Sequence, residues 1–549
     1  MTAGTLSAPI APSDTRTGRR DGFGQLLRAE WTKFRTVRGW VIGMIVAALL
    51  TVLMGLFAAA NVNIGCDING QQNSGRGCEP YVPLGPGGEA VQDSFYFIHQ
   101  PLAGNGTITA QIVSLTGEHV VLTGPQQATN NGPDMTAGLM PWSKAGVMIK
   151  QNTRRGSAYA AMLITGSHGV RMQYNYTNDV AGMPGAVTAS SPRWLRLTRS
   201  GDTITGYDSA DGSHWTKVGS AHLAGLSSTV QIGLFATSPS YVQTSTSFGG
   251  SSNNGGPSQA TGTFDHVSVS GSAPANNWTG EAIGGGGPVT GPSSQGGAPT
   301  GPLTQPYHPS DGRFTATGSG DIAPLVGDAQ GAPTATVEQS LTGAFIGLIA
   351  VVVVATMFFT AEYRRGLIRT TLAATPGRGA VLAAKAIVAG LVAFVAGLVA
   401  CTVALAVGVP MERGKGEFIL PVSTLTEARV VVGTAALLAV AAVFAVAIGA
   451  VMRRSAVAVT TVIVAIVLPF LLTVLNVFPS GVANWVMRLT PAAGFAIQQS
   501  IPHYSQVLTA SNVARGTYPL PPYAGFAVLC CYAAAALGLA FFLLRRRDA

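Results

Sequence analysis

The sequence predicts a multi-domain protein in which a six-span α-helical membrane bundle carries an antiparallel β-sandwich outside the membrane. Composition predicts the bundle, because 10% of the 549 residues are charged and 47% are hydrophobic, whereas about a quarter of a soluble chain is charged. Strand patterning predicts the sandwich, because the long segment between the first two apolar spans contains short alternating runs separated by turn residues.

Six stretches without a charged residue are long enough to cross a hydrocarbon layer of about 30 Å, which takes roughly 20 helical residues. The first stretch is too long for the apolar part of a signal peptide, and no small-residue cleavage site clearly ends it, so we expect it to remain as an anchor. The predicted spans are 41–61, 340–360, 386–409, 430–452, 456–478 and 522–544.

The basic residues predict the orientation of these spans. The segments on one side hold 17 of the 33 Lys and Arg residues but 5 of the 24 Asp and Glu residues. Because basic loops stay on the cytoplasmic side, we expect a cell-membrane protein with cytoplasmic termini and with residues 62–339 extracellular. The same asymmetry explains the high pI and argues against nucleic-acid binding. These predicted cytoplasmic segments are 1–40, which includes a disordered tail at 1–22, then 361–385, 453–455 and a tail at 545–549.

Within the outer segment, residues 92–270 are predicted to form the sandwich, since runs such as AGVMIKQ and TVQIGLFAT recur without helical patterns between them. Residues 62–91 are predicted to form a stalk, in which Cys66 and Cys78 form a disulfide in an oxidising compartment. Residues 271–339 are rich in Gly, Pro and Ser and are predicted to be a flexible linker. An alternative for residues 313–328 within this segment is a pair of strands.

We expect no catalytic residue and no metal site in the sandwich. Glu118 is its single glutamate, whereas glycoside hydrolysis requires two carboxylates, and no His or Cys cluster has metal-ligand spacing. Trp142, Tyr174 and Tyr176 are candidates for a ligand platform, because Tyr174 and Tyr176 share one face of a strand at period two. We favour the alternative of cross-strand packing, because aromatic pairs stabilise most sheets in this way.

The stretch AEYRRGLIRTTLAATPGRG, residues 361–379, concentrates basic residues between the second and third spans. Glu362 can pair with Arg365, and Arg365 shares a helical face with Arg369. Pro376 disfavours helix at the preceding residue. We therefore expect a short amphipathic helix in the loop 361–385, either lying on anionic lipid or contacting a protein.

The stretch FGQLLRAEWTKFRTVRGW, residues 23–40, predicts an amphipathic helix at the membrane surface. Trp31 lies on its apolar arc, with Arg35 and Arg38 around the rest. Glu30 falls among the apolar residues, which suggests a protein contact on this face, although a pair with Lys33 at i+3 is the more ordinary explanation.

These two stretches, with VLAAK continuing the second, resemble the permease subunits of actinobacterial ABC transporters of the second, exporter-like class. The stretch PRWLRLTRSGDTITGYDSADGSHWTKVG and the run KAGVMIK resemble the concanavalin-like, jelly-roll sandwiches of bacterial surface proteins. The permease resemblance implies an elbow helix at 23–40, a coupling helix in 361–385 that docks on a separate cytoplasmic ATPase, and an outer re-entrant segment at 479–521. It also implies a homodimer or a paired permease.

The resemblance assigns roles to particular residues of this sequence. The elbow residues are Glu30, Trp31, Lys33, Arg35 and Arg38. Because the chain lacks a Gly-x-x-x-x-Gly-Lys-Ser/Thr loop, ATP and magnesium are expected on the partner subunit, with no cofactor in this chain. The residues implied in contact with the ATPase are Glu362, Tyr363, Arg364, Arg365, Arg369, Thr370, Thr371, Pro376 and Arg378.

Two other functions are compatible with the sequence. A secondary carrier is disfavoured, because such carriers usually keep ionisable groups in their spans and the predicted spans contain none. A membrane-anchored adhesion protein or carbohydrate-binding sensor would use the sandwich as its working part, but one span would be enough to anchor it. The uncharged spans suggest an apolar or amphipathic cargo for the permease.

Overall fold

The structure is a computed structural model with side chains. Side chains are not described at 65–68, 71–74, 242–247, 250–255, 364 and 480. The described residues are 22–62, 65–68, 71–74, 81–120, 135–188, 190–247, 250–273, 277–289, 313–326, 334–364, 377–475, 477–507, 513 and 516–546.

Six helical segments in the described part of the chain are long and apolar enough to cross a membrane, which confirms the predicted number of spans. A π-helical turn at Ile463–Val467 joins two helices into one of these spans, and 3₁₀ segments occupy Val337–Leu341 and Pro491–Gln498. The helices are α1 (Phe23–Thr36), α2 (Arg38–Ala60), α3 (Gly343–Arg364), α4 (Arg378–Gly414), α5 (Thr424–Met452), α6 (Ser455–Val462), α7 (Leu468–Val474), α8 (Ser480–Leu489) and α9 (Pro522–Arg546).

Helix α4 is longer at both ends than the predicted span 386–409. Its extra turns include Lys385 and Glu412, both buried. The expectation that the spans contain no ionisable residue is therefore wrong at the ends of this helix. The reason is physical: a buried charge is tolerated where a partner of opposite charge or a hydrogen bond compensates its lost hydration.

The bundle packs through small residues, as membrane helices do when backbones approach closely. At Gly343, a β-carbon would clash with the backbone carbonyl oxygen of Thr51, so the start of α3 lies directly against α2. Helix α5 occupies the middle of the bundle, where Leu437, Ala441 and Ala445 pack in the main apolar core.

In the described part of the chain, strands lie between α2 and α3, and one short strand follows α4. The strands are β1 (Gly65–Ile68), β2 (Gln71–Ser74), β3 (Val91–Asp93), β4 (Phe95–Val120), β5 (Met135–Ala137), β6 (Lys144–Lys150), β7 (Tyr159–Thr165), β8 (Val170–Tyr174), β9 (Asn178–Ala181), β10 (Arg193–Ser200), β11 (Thr203–Ser209), β12 (Thr216–His222), β13 (Thr229–Thr237), β14 (Tyr241–Ser247), β15 (Gly250–Gly256), β16 (Ser258–Ser272), β17 (Thr279–Ile283), β18 (Phe314–Ser319), β19 (Ile322–Pro324), β20 (Thr334–Ala335) and β21 (Phe418–Ile419).

The large sheet folds over on itself into a β-sandwich, because strand β4 belongs to both layers. The first part of β4 pairs with β13 in a layer that continues through β6, β7, β8 and β9, and its second part pairs with β10 and β16. The strand turns between the layers at Gly104, whose φ of 67° favours glycine. Leu195 and Leu197 of one layer join Val147 and Ile149 of the other in one buried core.

The prediction that residues 271–339 form a flexible linker is wrong in part. Strand β17 pairs with β4, and β18 pairs with β16, so both belong to the large sheet. The possible strand pair at 313–328 exists as strands, but β18 and β19 pair with different partners, since β19 pairs with β3. Composition misled the prediction, because a glycine also suits a close backbone contact within a sheet: a β-carbon at Gly318 of β18 would clash with the backbone oxygen of Ala236. Residues 290–312 lie outside the described residues.

Two buried lysines hold the chain segments that lead into and out of the sandwich. Both are on strand β6, on the face turned away from the sandwich core. Lys144 Nζ lies 2.6 Å from Asp321 Oδ1 beside β19, and Lys150 Nζ lies 2.8 Å from Asp93 Oδ2 on β3. Lys150 also donates to Tyr176 Oη at 3.0 Å. The paired strands β3 and β19 are thereby fixed across the base of the sandwich.

The base of the sandwich rests on the membrane bundle. Ala90 and Leu325, which flank the paired strands β3 and β19, pack with Leu420 and Ile501 of the bundle in one apolar cluster. Gln506 Nε2 donates to the backbone carbonyl of Tyr176 at 2.9 Å. Strand β20, just before α3, pairs in parallel with β21, which follows α4. The sandwich is therefore seated on the bundle, in contrast to the free tether that the sequence suggested.

We predict that Lys150→Met destabilises the sandwich, because it leaves the Asp93 carboxylate buried without its counter-charge. Removing one partner of a buried ion pair costs roughly 3 kcal/mol or more, so the thermal unfolding temperature of the sandwich in the full chain should fall. Lys217→Met, at an exposed position of β12, is the matched control and should leave that temperature unchanged. Equal unfolding temperatures for Lys150→Met and the wild type would contradict the role of the pair.

Candidate functional site

Four charged side chains meet at the end of the bundle where α1, the last turn of α3 and the first turns of α4 come together, here called the α1 end. Lys385 Nζ lies 2.7 Å from Glu30 Oε2 and 2.7 Å from Glu362 Oε1. Lys33 Nζ lies 2.7 Å from Glu30 Oε1 and 3.4 Å from Glu362 Oε1. We call these two carboxylates and two ammonium groups the charge cluster.

The charge cluster is withdrawn from solvent. The side chains of Glu30 and Lys385 are each 1% exposed, that of Glu362 is 8% exposed, and only Lys33 reaches the surface at 38%. Phe358 lies under Lys385, with the ammonium nitrogen 4.7 Å from the ring centroid, which adds a cation–π contact.

An aromatic layer beside the charge cluster helps to exclude water. The rings of Phe34 and Phe358 are 5.3 Å apart, and those of Trp40 and Phe358 are 5.0 Å apart, both edge to face. These rings come from α1, the start of α2 and α3. Helices α1 and α3, which carry three of the four charges, therefore also pack through aromatic contacts, and the start of α2 joins them there.

Charge balance makes this burial possible. An isolated buried ion loses several kcal/mol of hydration, and close opposite charges with good hydrogen bonds recover that loss. For Lys33, burial acts to lower the pKa, but the hydrogen bond and charge of Glu30 and the charge of Glu362 outweigh it and raise the pKa above 10.5. Lys33 therefore remains a cation at neutral pH.

The charge cluster joins parts of the chain that flank residues 365–376. Glu362 lies in the last turn of α3, before this segment, and Lys385 lies in α4, after it. Lys385 binds both Glu362 and Glu30, and Glu30 on α1 is 355 residues from Lys385 in sequence. The helix ends on either side of the segment are thus fixed to each other and to α1.

Two further contacts converge on the α1 end. Arg378 Nη1 donates to the backbone carbonyl of Leu544 near the end of α9 at 3.0 Å. The Arg453 guanidinium, in the turn between α5 and α6, lies 5.2 Å from the centroid of the Tyr363 ring. The first turn of α4 is therefore linked to α9, and the last turn of α3 to the α5–α6 turn.

The predicted elbow residues divide between buried and exposed positions. Glu30 is buried, and it makes both the i+3 pair with Lys33 and a contact with another part of the protein. Trp31 is exposed over 42% of its surface, and Arg35 and Arg38 are also exposed. The helix therefore turns one side toward the bundle and leaves its aromatic and basic side free.

The predicted coupling residues are only partly described. Glu362 and Tyr363 belong to α3, and Glu362 binds Lys385, whereas its predicted partner Arg365 is outside the described residues. Arg378, predicted to face an ATPase, is half-buried and binds the end of α9. Outside the described residues or side chains lie Arg364, Arg365, Arg369, Thr370, Thr371 and Pro376, as well as the predicted disulfide of Cys66 and Cys78.

The predicted ligand platform does not exist as one surface. Trp142 and Tyr176 are 3% and 1% exposed, and Tyr174 is half-buried. Strand β8 ends at Tyr174, and Asn175 and Tyr176 adopt positive φ values of 45° and 62°. This turn breaks the period-two alternation. Tyr176 instead donates from its hydroxyl to Asp93 Oδ2 at 2.8 Å at the base of the sandwich.

At the opposite end of the bundle, polar contacts hold the buried 3₁₀ segment Pro491–Gln498. Arg429 of α5 donates to the backbone carbonyls of Ile497 at 3.2 Å and Gln499 at 2.6 Å, which are at the end of that segment. Glu338 Oε1 accepts from the backbone N–H of Ser500 at 3.2 Å. The predicted re-entrant region is therefore tied to the start of the second span and to α5.

Sequence reasoning missed Lys385 and Arg429 as structural anchors. The predicted loop 361–385 ends at Lys385, and the predicted span 430–452 begins directly after Arg429. The signal that could have found Lys385 is a pair of carboxylates, Glu30 and Glu362, each set among apolar residues beside a span, since such carboxylates require a cation.

The sequence profile of the family described as ABC-2 family transporter protein matches residues 207–549, which is more than half of the chain. The chain belongs to the ABC-2 family of transporter proteins. The match begins within β11 and includes the second half of the sandwich and five of the six spans. The resemblance to ABC permeases is thereby confirmed.

Membership of the ABC-2 family makes this chain the membrane component of an ABC transporter, a multi-pass membrane protein that works with an ABC ATPase subunit.

Solved structures resemble parts of this ABC-2 protein at low overall similarity. A functionally unknown protein from Saccharomyces cerevisiae is 15% identical over 36% of this chain and 84% of its own, with a TM-score of 0.21. Scytalido-glutamic peptidase with a transition state analog inhibitor is 10% identical over 43% and 100%, with a TM-score of 0.25. The GH43 protein BlXynB mutant from Bacillus licheniformis is 13% identical over 24% of each chain, with a TM-score of 0.15. Scores this low assign no fold or activity to the ABC-2 protein, and no curated protein matches it.

We predict that Lys385→Met loosens the α1 end, because it leaves the Glu30 and Glu362 carboxylates buried beside each other. Loss of a buried ion-pair partner costs roughly 3 kcal/mol or more, so the purified protein should unfold at a lower temperature and α1 should become sensitive to protease. Arg35→Met, on the exposed side of α1, is the control and should behave like the wild type. A protease-resistant α1 in the Lys385→Met protein would contradict this prediction.

Proposed function

We propose that the chain is the permease subunit of an ATP-driven exporter, coupled to a separate cytoplasmic ATPase through the segment between α3 and α4. The α1 end faces the cytoplasm, and the sandwich is extracellular. ATP and magnesium are bound by the partner subunit. The observation that carries the proposal is the charge cluster, which joins α1 to both helix ends that flank residues 365–376.

The charge cluster supports a mechanical route from the ATPase to the spans. An ATPase that docks on the basic segment displaces the end of α3 and the start of α4. Because Lys385 binds both Glu362 and Glu30, these two helix ends and α1 move as one unit. Arg378 extends the unit to α9 through its bond to Leu544. Movement at one loop is thereby passed to four helices of the bundle.

The arginines of the segment suit a protein contact in the cytoplasm. Arg364 ends α3, and Arg365 and Arg369 follow it in sequence before α4. The charge cluster is already balanced by its own lysines. Their charges are therefore not required to neutralise Glu30 or Glu362. The excess of basic residues on the α1 side supports the cytoplasmic assignment.

We propose a gating role for the sandwich, rather than an independent sensor role. Its base contacts the chain directly after the buried 3₁₀ segment, through Gln506 and through Ile501. Movement of that segment therefore changes the support of the sandwich. A sensor or adhesion domain on a free tether would not require these contacts.

The permease works as a homodimer or as one of a pair of permeases, and its cargo is apolar or amphipathic. Two permease subunits with two ATPase subunits give the symmetric arrangement that closed oligomers favour. The uncharged lengths of the spans support an apolar cargo.

We predict that the wild-type chain co-purifies with its ATPase subunit, and that the triple variant Arg364→Glu, Arg365→Glu, Arg369→Glu does not. Charge reversal replaces attraction by repulsion at the docking surface. The measurement is the ratio of ATPase to permease after affinity purification from membranes. Arg313→Glu in the sandwich is the control and should keep the wild-type ratio. Full recovery of the ATPase by the triple variant would remove the coupling assignment.

We also predict that a cysteine introduced at Gly377 is protected from a membrane-impermeant maleimide in intact cells, whereas one at Ala224 in the sandwich is modified. Serine replaces Cys66 and Cys78, so that these thiols do not contribute to the signal. Both introduced cysteines should react once the membrane is opened with detergent. Modification at Gly377 from outside would reverse the proposed orientation.

A further inference from the structure

A cavity of about 330 Å³ lies where the sandwich meets the bundle. Its three walls come from four separate stretches of the chain. One wall is the turn Gly87–Ala90 with Pro324 and Leu325 of the sandwich base, and the second is Leu420–Ser423 with Thr426 at the start of α5. The third wall, after the 3₁₀ segment, is formed by Ser500, Ile501, Pro502 and Tyr504. A molecule in this cavity would touch the sandwich and the bundle together.

The wall of the cavity combines apolar surface with one carboxylate. Leu325, Leu420 and Ile501 belong to the apolar cluster that joins the sandwich to the bundle. Glu89 is the one charged residue among the described residues that line the cavity. Since no lysine or arginine is present among those lining residues, the described wall has a net negative charge, and Ser423, Thr426 and Ser500 add hydroxyl groups to its apolar surface.

Glu89 is held in place by its own turn. Gly85 donates its backbone N–H to the Glu89 carbonyl at 2.7 Å, and Gly88 donates to the Gly85 carbonyl at 2.9 Å. A β-carbon at Gly85 or Gly87 would clash with the Glu89 carboxylate, so glycine at these positions lets the carboxylate fold over the turn. Among the described residues, the carboxylate is therefore positioned by its own backbone turn.

The surroundings of Glu89 favour a positive charge. Burial raises the pKa of the Glu89 carboxyl group, and hydrogen bonds from the backbone N–H groups of Glu89 and Gly87 oppose that rise. Tyr504 lines the same cavity, and burial together with the nearby charge of Glu89 raises the pKa of its hydroxyl group. A half-buried carboxylate next to a neutral aromatic ring matches the chemistry that binds organic cations.

We propose that this cavity binds an organic cation with an apolar body, such as an aromatic or alkyl amine, with its charge at Glu89 and its body against Leu325, Leu420 and Ile501. The volume is within the range of small-molecule sites, which are mostly apolar with a few placed polar groups. A bound cation contacts both the sandwich and the segment after the 3₁₀ helix, and it therefore stabilises the contact between the sandwich and the bundle. Binding is a property of this chain alone and does not depend on the proposed transport.

The test measures binding of ethidium, a planar aromatic cation, to the purified full chain in micelles of an uncharged detergent, by its fluorescence with empty micelles subtracted. N-phenyl-naphthylamine serves as the uncharged dye. We expect Glu89→Gln to weaken ethidium binding about tenfold, because it removes the ion pair and keeps the volume, with little effect on the uncharged dye. We expect Val422→Trp, which fills the cavity, to abolish binding of both dyes.

Glu118→Gln, which changes an exposed sandwich carboxylate outside the cavity wall, is the matched control and should bind both dyes like the wild type. Added salt should weaken ethidium binding to the wild-type chain and leave the uncharged dye unaffected, a measurement that requires no variant. Ethidium affinity that is unchanged by Glu89→Gln and by salt would overturn the cation assignment. Affinity for both dyes that is unchanged by Val422→Trp would overturn the site itself. Because no ATPase is present, neither result bears on the coupling of this chain to its partner.

Discussion

The position of Lys385 between Glu30 and Glu362 is the constraint on which the α1 end of the molecule depends. A lysine ammonium and two carboxylates in an apolar bundle are costly to bury separately, and their mutual contacts make the arrangement stable. Lys33 completes the charge balance from the surface. Since each of the three buried groups comes from a different helix, the cluster can form only when α1, α3 and α4 are correctly placed. The cluster therefore specifies how the helix ends around residues 365–376 are arranged, as well as stabilising them.

Buried ion pairs also occur at the base of the sandwich. Lys144 and Lys150 reach out of strand β6 to Asp321 and Asp93, and these pairs secure the segments by which the chain enters and leaves the sandwich. In a protein with 10% charged residues, buried charge pairs are thus placed where one structural unit joins another. Apolar packing builds the two units, but it is less directional than a hydrogen-bonded ion pair. Directional contacts are what a transporter requires at the points where movement passes from one part to the next.

The candidate site shows how far local sequence patterns extend. The basic stretch after the second span and the carboxylate on the apolar arc of α1 both pointed to the α1 end, and the i+3 pair of Glu30 and Lys33 follows from helix geometry alone. The contact of Glu30 with Lys385 does not, because 355 residues separate them and no local rule pairs such distant positions. For the predicted ligand platform in the sandwich, a local pattern gave a wrong prediction. Period two places Tyr174 and Tyr176 on one face only if the strand continues, and a turn with positive φ at Asn175 and Tyr176 ends it.

The sequence by itself determined the number of spans, the presence of an antiparallel sandwich between the first two of them, and the family resemblance to ABC permeases. Hydrophobic length and strand alternation are properties of neighbouring residues, and so they can be read without knowing the fold. Tertiary structure alone decided where the span helices end, that β17 and β18 belong to the sheet, and that the sandwich sits on the bundle. It also decided which residues enclose the cavity at Glu89. Each of these depends on the energy gained when distant segments meet, through burial of apolar area and compensation of buried charge, and that energy is not encoded in any single stretch of sequence.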